Sequence, residues 1–124
     1  MDFCYCNSQK LFKDCCEPYI KGIKNAPTAE TLMRSRYSAY ATHQADYLVA
    51  TTHSSQRNLH SKEDILLWAT SNEWQKLEVL KSTPTTVEFK AYYLDQNKQP
   101  HIHHEFSSFV QEDSILYYVD GDYY

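Results

Sequence analysis

The four cysteines of this 124-residue chain are confined to its first 16 residues, as Cys4, Cys6, Cys15 and Cys16. Their spacing, C-x-C-x8-C-C, brings together thiolates from two adjacent chain segments. Four such ligands form a soft tetrahedral site, for which zinc is the usual intracellular occupant. Neither C-x-C nor adjacent C-C offers good local geometry for a disulfide. The pattern predicts a structural zinc ion bound by all four cysteines, and free or redox-active thiols are the alternative interpretation.

The charge of the chain is distributed in a way that suits a thiolate site. The net charge is −4, yet residues 1–24 carry four lysines against three carboxylates. The lysines, which are Lys10, Lys13, Lys21 and Lys24, would partly offset the negative charge of a Zn(Cys)₄ centre. An acidic chain lacks the basic surface of a nucleic-acid binder, so no nucleic-acid partner is expected.

The composition excludes two further classes of protein. Gly22 and Gly121 are the only glycines, so the chain cannot form a glycine-rich phosphate-binding loop. Its beginning lacks the basic and apolar regions of a signal peptide, and no segment approaches the roughly 18 apolar residues of a membrane helix. We expect a cytoplasmic protein that has reduced thiols and no membrane partner.

Hydrophobic periodicity after residue 24 predicts helices first and strands afterwards. The predicted helices span residues 29–41, 45–51 and 61–71, and the predicted strands span residues 77–81, 85–94, 102–111 and 114–120. Thr28 and Ser61 are the expected N-caps, with Ser61 and Asp64 forming a capping box. This order indicates an α+β fold in which the helices pack on a curved, four-stranded antiparallel sheet.

Three polar residues are predicted to face the interior between helices and sheet. Side chains two apart on a strand share a face, so Glu105 and Ser107 point the same way as Phe109. On the first of these helices, a rotation of about 100° per residue places Arg36 inside the apolar stripe and Arg34 outside it. Because a buried guanidinium needs an acceptor, we expect Arg36 and Glu105 to meet across a helix–sheet cavity. The predicted pocket residues are Arg36, Tyr40, His53, Glu105 and Ser107.

The histidine-rich strand around Glu105 has three competing interpretations. His101, His103 and Glu105 lie two apart and could ligate a catalytic metal from one strand face. Glu105 could instead act as a general acid or base with His53 or His104. In the third interpretation, which the sequence favours, Glu105 is a structural partner in a polar core network and the histidines lie at the surface.

The segment from Cys4 to Cys16 resembles the SEC-C zinc motif, in which two cysteines one apart are followed by a polar turn, an aromatic residue and a final Cys-Cys or Cys-His pair. Further segments are similar to the bacterial YchJ-like family, namely residues 17–19, 26–30, 32–40, 46–48, 87–92, 104–109 and 118–121. The resemblance implies a zinc knuckle over residues 1–24 and a nuclear-transport-factor-like cone over residues 25–124. Tyr5 and Asn7 stand where family members usually have Pro and Gly, and Asn tolerates the positive φ that such a turn requires.

Two hypotheses about function follow from the motif and the expected cone. SEC-C motifs in the preprotein translocase ATPase family are associated with chaperone and ribosome contacts, so the resemblance implies a non-catalytic module whose knuckle docks onto another protein. The alternative is a small-molecule-binding or hydrolytic enzyme that uses a pocket of the cone. A filled cone with an exposed knuckle would favour docking. A deep pocket ringed by Arg36, His53, Glu105 and Ser107 would favour the alternative.

Overall fold

The computed structural model describes residues 3–59 and 61–123 of the chain. Within these ranges, four α-helices precede four strands: α1 (Glu17–Ile20), α2 (Ala29–Ala41), α3 (Ala45–Ala50), α4 (Lys62–Ser71), β1 (Glu73–Ser82), β2 (Thr86–Leu94), β3 (Pro100–Glu112) and β4 (Ile115–Tyr123). The predicted α+β class is confirmed. Helix α1 was not predicted, because four residues are too few to show a helical period. None of the helices in these ranges is long and apolar enough to span a membrane.

The strands of the described residues form one antiparallel sheet in the order β1-β2-β3-β4, which is the predicted meander. In this register Glu105 of β3 lies between Phe89 of β2 and Tyr123 of β4. Strand β1 begins at Glu73, earlier than the predicted residue 77. The sequence does not show this start, because Trp74 is a single apolar residue among exposed polar ones and gives little periodic signal.

Helix α2 packs on β1 and β2 through its apolar stripe. It begins at the predicted N-cap, where the hydroxyl of Thr28 accepts a hydrogen bond from a backbone N–H of the first turn. Ser61 caps α4 in the same way. Leu32 and Arg36 of α2 are both buried, so the predicted inward position of Arg36 is confirmed.

The N-terminal knuckle packs against this body and shares its core. Cys4, Cys6 and Cys16 are buried in the same apolar cluster as Leu32 of α2. The guanidinium of Arg34, on the other side of α2 from Arg36, donates a hydrogen bond to the backbone carbonyl of Cys6 at 2.7 Å. The division of the chain at residue 24 stays a prediction, and any motion of the knuckle must disturb these contacts with α2.

Asn7 joins the knuckle to the sheet. Its φ is 64°, in the left-handed region that Asn was expected to tolerate at this position. Its side-chain oxygen accepts a hydrogen bond from the backbone N–H of Leu77 at 2.7 Å. Because β1 is an edge strand, its outward N–H groups need acceptors from outside the sheet. A glycine at position 7 would permit the same turn but could not supply this acceptor.

Candidate functional site

The four cysteine sulfurs lie close together at one place in the knuckle. All four ligand atoms are within 4.8 Å of one another, and this is the one such group of His, Cys, Asp or Glu side chains found among residues 3–59 and 61–123. Cys6 Sγ lies 3.7 Å from Cys15 Sγ, which lies 3.9 Å from Cys16 Sγ. A tetrahedron with metal–sulfur distances of about 2.3 Å has edges of about 3.8 Å. The cluster could therefore hold a metal ion, and its sulfurs are too far apart for disulfides.

The protonation of the metal-free thiols points to the same need for a cation. Hydrogen bonds from the thiols of Cys16 and Cys6 lower the pKa of Cys4. Burial, the largest influence, raises the pKa of Cys15 to about 11. The hydrogen bonds that stabilise the Cys4 thiolate come from neighbouring thiols. With all four groups as thiolates, a bound cation would take the place of the thiol protons.

Polar groups around the cluster orient its ligands. Ser8 Oγ lies 3.1 Å from Cys15 Sγ, and Ser38 Oγ of α2 lies 3.5 Å from Cys4 Sγ. Hydroxyl contacts of this kind fix ligand orientation around metal sites. The sequence analysis missed Ser38, because only the tertiary structure brings α2 against the knuckle.

A second candidate site is a cavity of about 300 Å³ between the helices and the sheet. Its walls are largely aromatic and include Tyr37, Tyr40, Trp68, Trp74, Phe89 and Phe109. Its polar groups come mainly from Arg36, His103, Glu105, Ser107 and Tyr118. Leu59 and Tyr123 also line it and are 70% and 64% exposed, so they mark its mouth.

Glu105 has polar partners on both oxygens of its carboxylate. Its Oε1 lies 2.7 Å from Nε2 of His103. Its Oε2 accepts hydrogen bonds from Ser107 Oγ at 2.6 Å and Tyr118 Oη at 2.9 Å. Burial raises the pKa of Glu105, but the bonds from these three neighbours together bring that pKa below its ordinary value. The side chain is therefore an ionised carboxylate at neutral pH, held in a polar core network as the third interpretation predicted.

His53 and His104 are held away from Glu105. His53 Nε2 lies 2.8 Å from Glu112, so His53 does not line the cavity. His104 Nε2 lies 2.8 Å from Glu88, because its side chain is on the opposite face of β3 from Glu105. The alternative interpretation, an acid–base pairing of Glu105 with His53 or His104, is therefore wrong.

The H-x-H-x-E metal site, the other alternative interpretation, does not form either. His101, at the start of β3, pairs with the carboxylate of Asp95 in the preceding turn at 2.7 Å. Only His103 of the two histidines contacts Glu105. Because His101 is bound to Asp95, it does not join His103 at the carboxylate of Glu105.

The predicted ion pair between Arg36 and Glu105 is also wrong. The Nη1 of Arg36 donates to the carbonyl of Leu48 at 3.0 Å and to the hydroxyl of Thr51 at 2.6 Å. Tyr118 stands between the two charges: its ring centre is 4.5 Å from the guanidinium carbon, and its hydroxyl bonds Glu105. Carbonyl groups near the C-terminus of a helix attract a cation. The Leu48 carbonyl of α3 and the Thr51 hydroxyl bind Arg36 and keep it from pairing with Glu105.

Tyr118 was missed by the sequence analysis, although strand alternation offered a signal. Phe109 and Tyr118 are paired across β3 and β4, so an inward Phe109 implies an inward Tyr118. The segment at Thr51 and Thr52 gave no such signal. It lies beside Tyr118 through a backbone bridge, in which the N–H of Tyr118 donates to the carbonyl of Thr51 at 2.8 Å.

Sequence comparison agrees with the fold. Residues 28–121 match the family described as "YchJ, middle NTF2-like domain". The chain belongs to the YchJ-like family. A UPF0225 protein of Photorhabdus laumondii is 41% identical to it over 127 residues, covering 97% of this chain and 80% of that protein. A UPF0225 protein of Geobacter sulfurreducens is 38% identical, covering 97% of this chain and 78% of that protein.

Two solved structures share the fold of this YchJ-like chain. The solution structure of a SEC-C motif containing protein from Rhodopseudomonas palustris superposes with a TM-score of 0.89 at 34% identity, covering 98% of both chains. The crystal structure of a SEC-C motif containing protein from Psychrobacter arcticus gives a TM-score of 0.78 at 32% identity, covering 94% of this chain and 78% of that one. The expected family and fold are confirmed.

Replacing the Glu105 carboxylate tests the network. At pH 7 we expect Glu105→Gln to lower the free energy of unfolding by about 1–3 kcal/mol, because an amide nitrogen cannot accept from the donors around it. The lowered pKa of Glu105 means that its carboxylate stabilises the fold above the unfolded-state pKa of about 4.3 and loses this effect as the pH falls through the folded-state pKa. Urea unfolding from pH 7 to pH 3 should therefore show the gap between wild type and variant closing.

The matched control is Glu112→Gln. Glu112 also contacts a histidine, but its side chain is 55% exposed, so the change should cost less than about 1 kcal/mol. A gap for Glu105→Gln that is the same at every pH would contradict the ionised, hydrogen-bonded carboxylate.

Proposed function

We propose that this YchJ-like protein binds a small molecule in the cavity between its helices and sheet, and that a structural zinc ion stabilises its knuckle. The observation that carries the proposal is the open cavity of about 300 Å³ with Arg36, Tyr40, Glu105 and Ser107 on its walls. A cone that served only as the body of a docking module would be expected to be filled by its own side chains. An aromatic cavity with a few fixed polar groups is the usual form of a ligand site.

The chemistry of the cavity favours binding over hydrolysis. A general base needs a lone pair directed at its substrate. The carboxylate of Glu105 already has contacts with three polar neighbours, and the candidate partner His53 lies outside the cavity. Glu105 therefore serves to hold Ser107 and Tyr118 in place rather than to accept a proton from a ligand.

Zinc is the proposed occupant of the cysteine cluster. Buried thiolates at tetrahedral spacing are the ligands of closed structural zinc sites, and they persist in a reducing compartment such as the cytoplasm. Cys4, Cys6, Cys15 and Cys16 would supply all four ligands and leave no position for a reacting water. The role of the metal is then to hold the knuckle together, not to catalyse.

Native mass spectrometry tests the zinc site. We expect the mass of the chain plus one zinc ion, with the four thiols resisting alkylation until a chelator is added. Removal of zinc should disorder residues 1–24, because the binding energy of a short metal site is its folding energy. The rest should stay folded but lose stability, because the knuckle shares its core. A Cys15→Ser variant should lose the ion.

The control for the zinc site is Ser8→Ala, which removes a hydroxyl beside Cys15 but no ligand. It should weaken zinc binding by at most about 10–100-fold and still carry the ion in the mass spectrum. A bare-chain mass with all four thiols alkylated under native conditions would refute the zinc site.

Tryptophan fluorescence tests ligand binding in the cavity. Trp68 and Trp74 are the only tryptophans of the chain, and both line the cavity. A neutral aromatic probe such as phenylacetamide should change their emission with a saturable dependence on concentration. Ala91→Leu, which adds methyl groups inside the cavity, should weaken binding by about 10–200-fold.

The control for this variant is Ala50→Leu, which makes the same change at an exposed position on α3. It should bind the probe as the wild type does. Equal binding by all three proteins would place the probe outside the cavity and contradict the proposal.

Docking through the knuckle is a second candidate function, and the surface of the knuckle favours it. Phe3 and Ile23 are 59% and 73% exposed. The four lysines of this segment, Lys10, Lys13, Lys21 and Lys24, are exposed as well. Exposed apolar side chains in a lysine-rich segment are of the kind that bind an acidic protein surface.

Matched variants test docking. In affinity purification from the source cell, Phe3→Ser with Ile23→Ser should reduce recovery of an acidic partner by at least about fivefold, since a truncated hot-spot residue costs more than about 1 kcal/mol. Leu67→Ser is the control, because Leu67 of α4 is also exposed, at 65%, but lies outside the knuckle. Equal recovery by both variants would contradict docking through this surface.

A further inference from the structure

We infer that the ligand of the cavity is a small aromatic carboxylate, whose anionic group binds the guanidinium of Arg36 and the hydroxyl of Tyr40. The inference rests on the proposed ligand-binding function and adds the chemical class of the ligand. It is carried by hydrogen-bonding groups that the protein leaves open inside the cavity.

Arg36 is a buried cation without a carboxylate partner. The residue is only 7% exposed to solvent. The hydrogen bonds that it makes to the described residues all use Nη1, and their acceptors are neutral oxygens of Leu48, Thr51 and Thr52. Within residues 3–59 and 61–123, no carboxylate lies within 4.0 Å of this guanidinium. Its positive charge is therefore stabilised by neutral dipoles, and a bound anion would stabilise it further.

One edge of the Arg36 guanidinium is left without a partner among the described residues. The hydrogen bonds that Arg36 makes within this part of the chain all use Nη1 and none uses Nε or Nη2. Arg36 also lines the cavity. The Nε–Nη2 edge of a guanidinium is a planar fork that binds both oxygens of a carboxylate.

Tyr40 offers a second open donor by the same argument. It lies one helical turn from Arg36 on α2 and also lines the cavity. Its hydroxyl makes no hydrogen bond to the described residues. Burial raises the pKa of Tyr40, so the hydroxyl keeps its proton at neutral pH and can donate it to an anion.

The charged groups of the cavity favour a single negative charge on the ligand. Of the two carboxylates that line it within the described part of the chain, Glu105 is already bonded to His103, Ser107 and Tyr118, and Asp64 is exposed to solvent. Arg36 is the one lysine or arginine among the described residues that line the cavity. One open cation matches a monoanionic carboxylate better than a phosphate dianion, which proteins bind with several donors of positive charge.

The walls select an aromatic body for this carboxylate. Trp68 and Trp74 contact each other edge to face, with ring centroids 4.9 Å apart, and Tyr40 packs against Trp68 at 5.5 Å. Rings arranged in this way present faces and edges for stacking with a flat ligand. A volume of about 300 Å³ is at the lower end for ligand pockets, so the fitting ligand is small, with one or two rings.

Three probes of the same shape distinguish the head groups: phenylacetate, phenylacetamide and 2-phenylethylamine. Their affinities can be measured from the emission of Trp68 and Trp74 and from the two indole N–H signals in NMR spectra. We expect phenylacetate to bind at least about tenfold more tightly than the amide, because it makes charge-assisted hydrogen bonds. The amine should bind most weakly, because its positive head group would lie beside the guanidinium of Arg36. A ligand site centred on Glu105 and Asp64 would instead favour the amine.

Two variants connect this preference to the named groups. Arg36→Met should abolish the preference for the acid over the amide. Tyr40→Phe should reduce it by about threefold or more, and this variant loses no hydrogen bond of the ligand-free protein. Arg57→Met is the control, since Arg57 donates to the carbonyls of Thr52 and Ala50 outside the cavity and should keep the full preference.

The outcomes separate this inference from the proposed function. If the amide binds as tightly as the acid, or the amine binds most tightly, the inference is overturned while ligand binding by the cavity stands. An unchanged acid preference in Tyr40→Phe together with Arg36→Met would overturn it as well. If none of the three probes alters the tryptophan signals, both the inference and the proposed function fail.

Discussion

The need to hydrogen-bond one buried carboxylate organises the interior of this protein. Glu105 sits at the centre of the sheet's inner face and is 6% exposed, and an unpaired charge there would be far too costly to keep. Ser107 on the same strand face and Tyr118 on the adjacent strand supply donors, so the register between β3 and β4 must be kept. Gly121 of β4 completes the arrangement, because a Cβ at that position would overlap the carboxylate.

Tyr118 carries this constraint from the sheet to the helices. Its hydroxyl bonds Glu105 while its ring lies against the guanidinium of Arg36. Arg36 in turn holds the end of α3 through the carbonyl of Leu48 and the hydroxyl of Thr51. Opposite charges are thus kept near each other without pairing directly. Because the two groups stay apart, the cavity has both a cation and an anion on its walls, which an ordinary apolar core lacks.

The knuckle is attached to the helices and the sheet differently, by hydrogen bonds that involve main-chain groups and by the packing of its cysteines. Arg34 binds a knuckle carbonyl and also Glu30 of its own helix, and Asn7 binds the edge strand. The sulfurs of Cys4, Cys6 and Cys16 lie against the core. A cation at this cluster would therefore stabilise the packing of α2 and β1 as well as the local loop, since binding energy at such sites is folding energy.

The sequence alone determined the features that depend on local spacing. The cysteine cluster, the caps at Thr28 and Ser61, the meander and the inward faces of α2 and β3 follow from chain periodicity and from the fixed geometry of helices and strands. Which buried groups meet was decided by the tertiary structure. Arg36 and Glu105 both point inward as predicted, but they do not pair, because the end of α3 and Tyr118 come between them through long-range packing. Strand alternation gives the direction of a side chain and says nothing about which of several acceptors lies nearest once distant segments have packed together.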